Sequence, residues 1–217
     1  MNRYTLCIIL TSFISFNCLG IDIGPMTFGL DSNVGFATKV VTNNSSIRNI
    51  YTLKVYEIDQ PGRSEVVINP TKRDLLFNPK QFVLSGNSSK LVKFYFNGNS
   101  DKERYYRVEF TEMPAPRESR AKASMYLTVK MSSILVVSPK EKNFDYKIDY
   151  SNQSITNKGN TFFEFMIKDS CDTPDINSFA RYLAPNKSYV DKNISKDKVF
   201  VIISDGKFYF PDERCNK

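Results

Sequence analysis

Residues 125–137 read MYLTVKMSSILVV, and apolar residues occupy every second position in the first half of this stretch. In an extended chain successive side chains point to opposite faces, and a period of two indicates a β-strand. Two roles are compatible with the pattern: half of a sandwich core, or an edge strand that offers apolar side chains to a partner sheet. The face in question carries four apolar residues, Met125, Leu127, Val129 and Met131.

The remainder of the chain repeats this pattern in shorter runs, separated by Asn, Gly, Ser and Pro. Phe and Tyr are abundant, with 17 and 12 residues among 217, and aromatic and β-branched residues favour strands. Closely spaced strands without a helical period are typical of immunoglobulin-like sandwiches. We therefore predict an all-β fold, in which residues 112–124, with two prolines and few apolar residues, form a long loop before the alternating strand.

A change of composition after the alternating strand predicts a domain boundary. Ser138-Pro139-Lys140-Glu141-Lys142 follows it, and a proline cannot donate to a strand ladder. We predict an N-terminal immunoglobulin-like domain over residues 21–139 and a smaller C-terminal β-sandwich over residues 140–217.

The first 20 residues, MNRYTLCIILTSFISFNCLG, have the organisation of a secretory signal peptide. Arg3 precedes an apolar run shorter than the ~18 residues of a membrane span, so no stable membrane anchor is expected. We predict Ile21 as the mature N-terminus. An exported chain that retains only Cys171 and Cys215 is expected to join them in a disulfide, the alternative being two free buried thiols.

The residue types present exclude much catalytic chemistry. The chain has no histidine, which removes imidazole metal sites and the Ser-His and Cys-His nucleophiles. It also lacks a glycine-rich phosphate loop, a Cys-x-x-Cys pair and a Gly-x-Ser-x-Gly turn. The formal charge is +7, but lysines are spread among acidic residues, so no nucleic-acid partner is predicted. These observations favour a binding protein over an enzyme, without a metal or a cofactor.

Several segments, taken in order, resemble the periplasmic pilus chaperones of the chaperone-usher pathway, and most closely the enterobacterial common pilus branch. The resemblance covers nearly the whole mature chain. The segments are LLFNP at 75–79, DKERYYRVEF at 101–110, ILVVSP at 134–139, TNKGN at 156–160 and YLAPNKS at 182–188.

The resemblance implies two immunoglobulin-like domains arranged as an L or boomerang in the periplasm. Chaperones of this family donate the alternating strand to pilin subunits that lack their own last strand, and an outer-membrane usher then receives the subunit. The donated side chains would here be Met125, Leu127, Val129 and Met131.

The family also holds the pilin C-terminal carboxylate with basic residues in the cleft between the domains. Residues 21–30 contain no basic residue, so the first strand offers no candidate. Lys130 is the only basic residue between Lys122 and Lys140, and Arg107 lies on the preceding strand. We take Lys130 and Arg107 as the carboxylate-anchor candidates, with a salt bridge from Arg107 to a neighbouring acid, Glu109 or Glu112, as the alternative role.

Two other functional classes are compatible with parts of the sequence. A secreted immunoglobulin-like adhesin or binding module would show the same strand pattern, without needing a long alternating strand after a charged loop. A hydrolase on a β-sandwich would need a cluster of acids or a nucleophile, and no such set is evident in the sequence.

Overall fold

The computed structural model describes residues 20–62, 65–69, 74–98, 101–116, 127–211 and 215. The described chain is built almost entirely of strands, with one turn of 3-10 helix at Asp175–Asn177, so the all-β prediction is confirmed. The predicted signal peptide, apart from Gly20, lies outside these residues. None of the helical structure described is long and apolar enough to cross a membrane. The strands of the first sandwich are β1 (Ile21–Asp22), β2 (Thr27–Asp31), β3 (Phe36–Asn43), β4 (Asn49–Ile58), β5 (Val67–Asn69), β6 (Leu75–Asn78), β7 (Gln81–Leu84), β8 (Ser88–Phe96), β9 (Arg104–Pro114) and β10 (Val129–Ser138).

Two sheets face each other in this sandwich, with strand orders β1-β3-β8-β6 and β2-β10-β9-β4-β5, and β7 also pairs with β4. The first two described strands belong to different sheets, because β1 pairs with β3 while β2 runs parallel to β10. The crossing passes through Gly24, whose φ of 62° lies in the left-handed region that glycine adopts without a steric penalty.

The core of the first sandwich lies between the inner faces of the two sheets. On β9 the inward side chains Tyr106, Val108 and Phe110 are buried, whereas Arg107 and Glu109 point outward, as the period of two requires. On β10 the inward residues Leu135 and Val137 are fully buried.

A second, smaller sandwich follows, with strand orders β11-β12-β15 and β14-β13-β16-β17. Its core contains several fully buried residues, among them Ile155, Phe163 and Phe165. The predicted disulfide is confirmed: Cys171 and Cys215 are bonded, with their Cα atoms 5.6 Å apart. The strands are β11 (Tyr146–Asp149), β12 (Ser154–Asn157), β13 (Phe163–Lys168), β14 (Phe179–Leu183), β15 (Ser188–Val190), β16 (Val199–Ser204) and β17 (Lys207–Tyr209).

Glu103, just before β9, connects the two sandwiches. Its backbone N–H donates to the Asn160 carbonyl (2.9 Å), and its carboxylate accepts from the Phe162 N–H (2.7 Å) and the Tyr105 hydroxyl (2.8 Å). Burial raises the pKa of this carboxyl to about 6, because desolvation outweighs the two hydrogen bonds. The junction is therefore held by a buried group that titrates above the usual range of a glutamate.

The structure corrects the predicted loop over residues 112–124 at its N-terminal end. β9 continues to Pro114, and Glu112 lies within that strand with only 5% of its surface exposed. Three donors surround its carboxylate: Asn49 Nδ2 (2.6 Å), the Tyr51 hydroxyl (2.7 Å) and the Ile21 backbone N (3.2 Å). These bonds offset the cost of burying a charge, which is why a polar residue occupies a core-facing position.

Candidate functional site

The candidate site is the part of β10 that has a neighbour on one side only among the described strands. β10 pairs with β9 from Val129 to Val137, but with β2 only from Ile134 onward. Within the described residues no strand lies on the other side of Val129–Ser133, a segment that we call the free edge. An unpaired edge is a template for another strand.

The backbone of the free edge presents specific hydrogen-bonding groups outward. The Ile134 N–H donates to the Met26 carbonyl (2.7 Å), so the amide groups of Ile134 point toward β2. Because these groups alternate in direction along a strand, those of Lys130 and Ser132 also point away from β9. The groups of Met131 and Ser133 point toward β9 and belong to the existing ladder.

The predicted apolar side chains lie at the rim of the core. Val129 and Met131 are partly buried and pack against the core of the first sandwich. Leu127 precedes β10 and is 78% exposed, and Met125 lies outside the described residues. The apolar face therefore runs from a closed core at Leu135 to an open end at Leu127, and contact of this face with a partner stays a prediction.

The two anchor candidates lie on the opposite, outer face of the same sheet. Arg107 is directly across from Ile134, and Lys130 is exposed four residues further along β10. At about 3.3 Å per residue their backbone positions differ by roughly 13 Å along the strand. The structure thus places both residues on one face without bringing them side by side.

Arg107 forms an ion pair, but with an acid that the sequence did not suggest. Its guanidinium binds the Glu65 carboxylate through two nitrogens, Nε at 3.0 Å and Nη2, and Nη1 also donates to the Ser132 hydroxyl (3.2 Å). The alternative considered from the sequence, a salt bridge to Glu109 or Glu112, is not formed: Glu109 accepts from the Tyr56 hydroxyl (2.9 Å). Glu65 lies 42 residues away in the sequence, so local spacing could not identify it.

The sequence analysis missed a buried lysine next to the point where the chain crosses between the sheets. Lys39 is 5% exposed, its Nζ donates to the Pro25 carbonyl (2.6 Å), and it lies 4.5 Å from the centre of the Phe28 ring. Burial lowers the pKa of this amine. The sequence could have indicated this burial, because Lys39 lies two residues before the apolar Val41 and both side chains therefore point to the same face of β3.

A cavity of about 250 Å³ lies between the two sandwiches, on the outer face of β10. Ile134 and Val136 form its floor on β10, and Phe162, Tyr182 and Ala184 of the second sandwich form the facing wall. The remaining lining residues are Thr27, Gln60, Pro61 and Tyr105. None of the described lining residues carries a charge. A search of the described residues for three or more clustered His, Cys, Asp or Glu side chains finds no group that could hold a metal ion.

Comparisons with known proteins assign this architecture to a class. No family model matches the chain. Over 88% of its length it superposes on the class 5 fimbriae chaperone CfaA, with a TM-score of 0.63, 19% identity and 97% of that chain covered. For the SafB chaperone, solved in complex with the Salmonella enterica pilin SafA, the TM-score is 0.58 with 15% identity, covering 90% of this chain and 98% of that one. The fold is therefore that of the two-domain pilus chaperones.

Sequence relatives place the chain more narrowly. It is 34% identical over 201 residues to the probable fimbrial chaperone EcpE of Escherichia coli K12, covering 90% of this chain and 85% of that protein. A second relative, the probable fimbrial chaperone EcpB of Escherichia coli O139:H28, is 26% identical over 157 residues, 70% of each chain. This chain belongs to the fimbrial chaperone family.

Proposed function

We propose that this protein binds pilin subunits in the periplasm by pairing the free edge of β10 with the incomplete sheet of a subunit, and that it delivers them to an outer-membrane usher. The observation that carries the proposal is that Val129–Ser133 pair on one side only among the described residues, whereas Ile134–Val137 of the same strand pair on both sides. An immunoglobulin-like subunit that lacks a strand exposes an apolar groove and unpaired backbone groups, and a donated strand covers both.

In this proposal the apolar face of the strand fills the groove. Leu127 contributes the most exposed side chain, and Val129 and Met131 extend the same face toward the chaperone's own core. Met125, by its parity in the sequence, would extend the row in the other direction. Pairing and exchange of strands form and break no covalent bond, so the role requires neither catalysis nor a cofactor.

Export completes the proposal. Residues 1–20 act as a signal peptide that is removed before Ile21, and the domains span residues 21–139 and 140–217. The bonded Cys171–Cys215 pair supports residence in an oxidising compartment, where such bonds persist.

A proline substitution tests strand pairing separately from side-chain chemistry. Lys130→Pro removes an N–H that points away from β9, so the chaperone's own ladder is retained and the melting temperature should change little. Capture of a pilin co-expressed in the periplasm should fall at least ~10-fold below that by Lys130→Ala, because a ladder bond is lost and its buried partner is left unpaired. Pull-down and protease protection of the pilin measure the effect.

Two controls make this result interpretable. Lys130→Ala removes the charge and keeps the N–H. Any capture that Lys130→Pro loses beyond the loss in Lys130→Ala is therefore due to the backbone. Ser133→Pro removes an N–H directed at β9 and should lower the melting temperature by itself. Full pilin protection by a folded Lys130→Pro protein would overturn the strand-pairing proposal and leave a secreted binding module as the alternative.

Lys130 and Arg107 are proposed to hold the pilin's terminal carboxylate on the outer face. Arg107 already binds one carboxylate, that of Glu65, which is support for its capacity to bind another in exchange. Lys130→Ala and Arg107→Ala should each weaken pilin capture about 10-fold, whereas Lys140→Ala, a solvated lysine beyond the strand, should not. A pilin C-terminal peptide that binds equally well when amidated would contradict this role.

A further inference from the structure

We propose that the cavity between the sandwiches binds an apolar side chain of aromatic size, carried at the end of the partner strand that pairs with the free edge. The inference rests on the proposed function for the identity of the partner. It adds a second recognition element, chemically different from strand pairing and from charge.

The chemistry of the walls selects an apolar group. Ile134, Val136 and Phe162 supply hydrocarbon surface, and the Tyr105 hydroxyl is already committed to Glu103 at 2.8 Å. A carboxylate placed inside would lose its hydration and meet no cation among the described lining residues. A cavity of about 150 Å³ with apolar walls is large enough for benzene, so about 250 Å³ accommodates a Leu, Phe or Tyr side chain.

The position of the cavity connects it with the free edge. A strand paired with Lys130 and Ser132 meets Met26 at the next position, because the Met26 carbonyl already accepts the Ile134 N–H. The partner backbone must end or leave the sheet there. The residue at that point lies beside Ile134 and Thr27, which both line the cavity.

The cavity also lies close to a positively charged side chain, that of Arg107. Arg107 is directly across from Ile134 on β9 and shares its outer face. A terminal residue could therefore place its carboxylate near Arg107 and its side chain in the cavity. Tyr182, 70% exposed and with its ring centre 5.8 Å from that of Phe162, forms the rim on the opposite wall.

A small apolar molecule that binds in the cavity, and a substitution that fills it, test the inference without a pilin. We expect toluene to shift the amide signals of residues around Ile134 in an NMR titration of the wild-type protein, and benzoate, equal in size but charged, to shift them at least ~10-fold less. Ala184→Leu occupies the cavity and should abolish the toluene shifts. Ala180→Leu, at an exposed position of β14, is the matched control and should retain them.

A second arm uses a co-expressed pilin with an apolar C-terminal residue. Ala184→Leu should weaken its capture at least ~10-fold, and changing that pilin residue to Asp should have the same effect in wild-type protein but little further effect in Ala184→Leu. Tyr182→Ser, which opens the rim without filling the cavity, should weaken capture less than Ala184→Leu.

The outcomes separate this inference from the strand-pairing proposal. If Lys130→Pro abolishes capture while folded Ala184→Leu captures pilin at the wild-type level, strand pairing stands and the cavity subsite is overturned. Absence of toluene shifts in the wild-type protein overturns the subsite whatever the pilin result. If toluene binds as expected and no pilin is captured by the wild-type protein, the proposed function fails instead.

Discussion

Glu112 shows how a single buried residue holds Ile21 at the beginning of β1. Its carboxylate accepts a hydrogen bond from the Ile21 N, and the donors Asn49 and Tyr51 hold it in place. If residues 1–20 are removed as proposed, that nitrogen becomes an α-ammonium group, and a hydrogen bond becomes an ion pair in a buried environment. Processing would then contribute directly to stability.

We predict that Glu112→Gln destabilises the protein, and does so more strongly when the chain begins at Ile21. The loss should be about 1 to 3 kcal/mol, because buried donors lose a charged acceptor. It should be about 1 kcal/mol larger in the protein that begins at Ile21 than in one extended by Gly20, whose Ile21 N is a neutral amide. Urea unfolding of the four proteins measures the coupling, and equal losses in both backgrounds would show that no ion pair forms.

At the scale of the element, β10 is two half-strands with different environments. From Ile134 to Val137 it is paired with β9 and with β2, and its inward residues Leu135 and Val137 are buried. From Val129 to Ser133 its partner among the described strands is β9 alone, and the inward side chains of Val129 and Met131 are partly exposed whereas Ser133 is buried. The residues from Ile134 onward therefore hold β10 in the sheet, and the free edge at Val129–Ser133 offers its outward backbone groups for pairing.

We expect aspartate substitutions along β10 to separate binding from stability. Leu127→Asp should abolish pilin capture and leave the melting temperature unchanged, because Leu127 is exposed in the free protein. Val129→Asp should abolish capture and also lower the melting temperature, since Val129 packs against the core. Thermal unfolding and pull-down of both variants give the comparison; a large loss of stability in Leu127→Asp would assign that residue to the chaperone's own core.

The disulfide fixes the C-terminal end of the chain to the second sandwich. Cys171 follows β13, and Cys215 packs beside Met166, Val199 and Val201 on the outer side of the β14-β13-β16-β17 sheet. It closes 44 residues of chain.

We predict that the double variant Cys171→Ser, Cys215→Ser loses about 4 kcal/mol of unfolding free energy, by the chain-entropy effect of a closed loop of this length. Denaturant titration of the oxidised protein and the variant measures the loss. Thiol labelling of the unreduced, denatured wild-type protein provides the control and should find no reactive cysteine; two labelled thiols would contradict the bond.

For the molecule as a whole, Glu103 makes the junction between the sandwiches sensitive to pH. Its pKa of about 6 in the folded protein exceeds the ordinary value of 4.5, chiefly through desolvation. The charged side chains of Lys142 and Asp205 act on the same carboxyl with opposite signs. Because the folded protein binds the proton more tightly than the unfolded chain, Glu103 adds stability below about pH 4.5 and loses it as the pH rises through 6.

We expect the difference in stability between wild type and Glu103→Gln to change by up to about 2 kcal/mol between pH 7 and pH 4.5, in favour of wild type at the lower pH. Groups that titrate equally in both proteins cancel in this difference. Urea unfolding at several pH values measures it, and a difference that does not vary with pH would mean that the Glu103 carboxyl has an ordinary pKa.

The sequence by itself determined the all-β class, a strand within the alternating stretch, which the structure places at Val129–Ser138, and the cysteine pair. Each depends on a local property: a period of two along one strand, or the number of cysteines in the sequence. Only the tertiary structure decided that the free edge of β10 has no neighbour among the described strands, that Glu112 is buried, that Arg107 binds Glu65, and that an apolar cavity lies beside Ile134. These features join residues tens of positions apart, and their energies depend on burial and on which strands become neighbours, neither of which a one-dimensional pattern specifies.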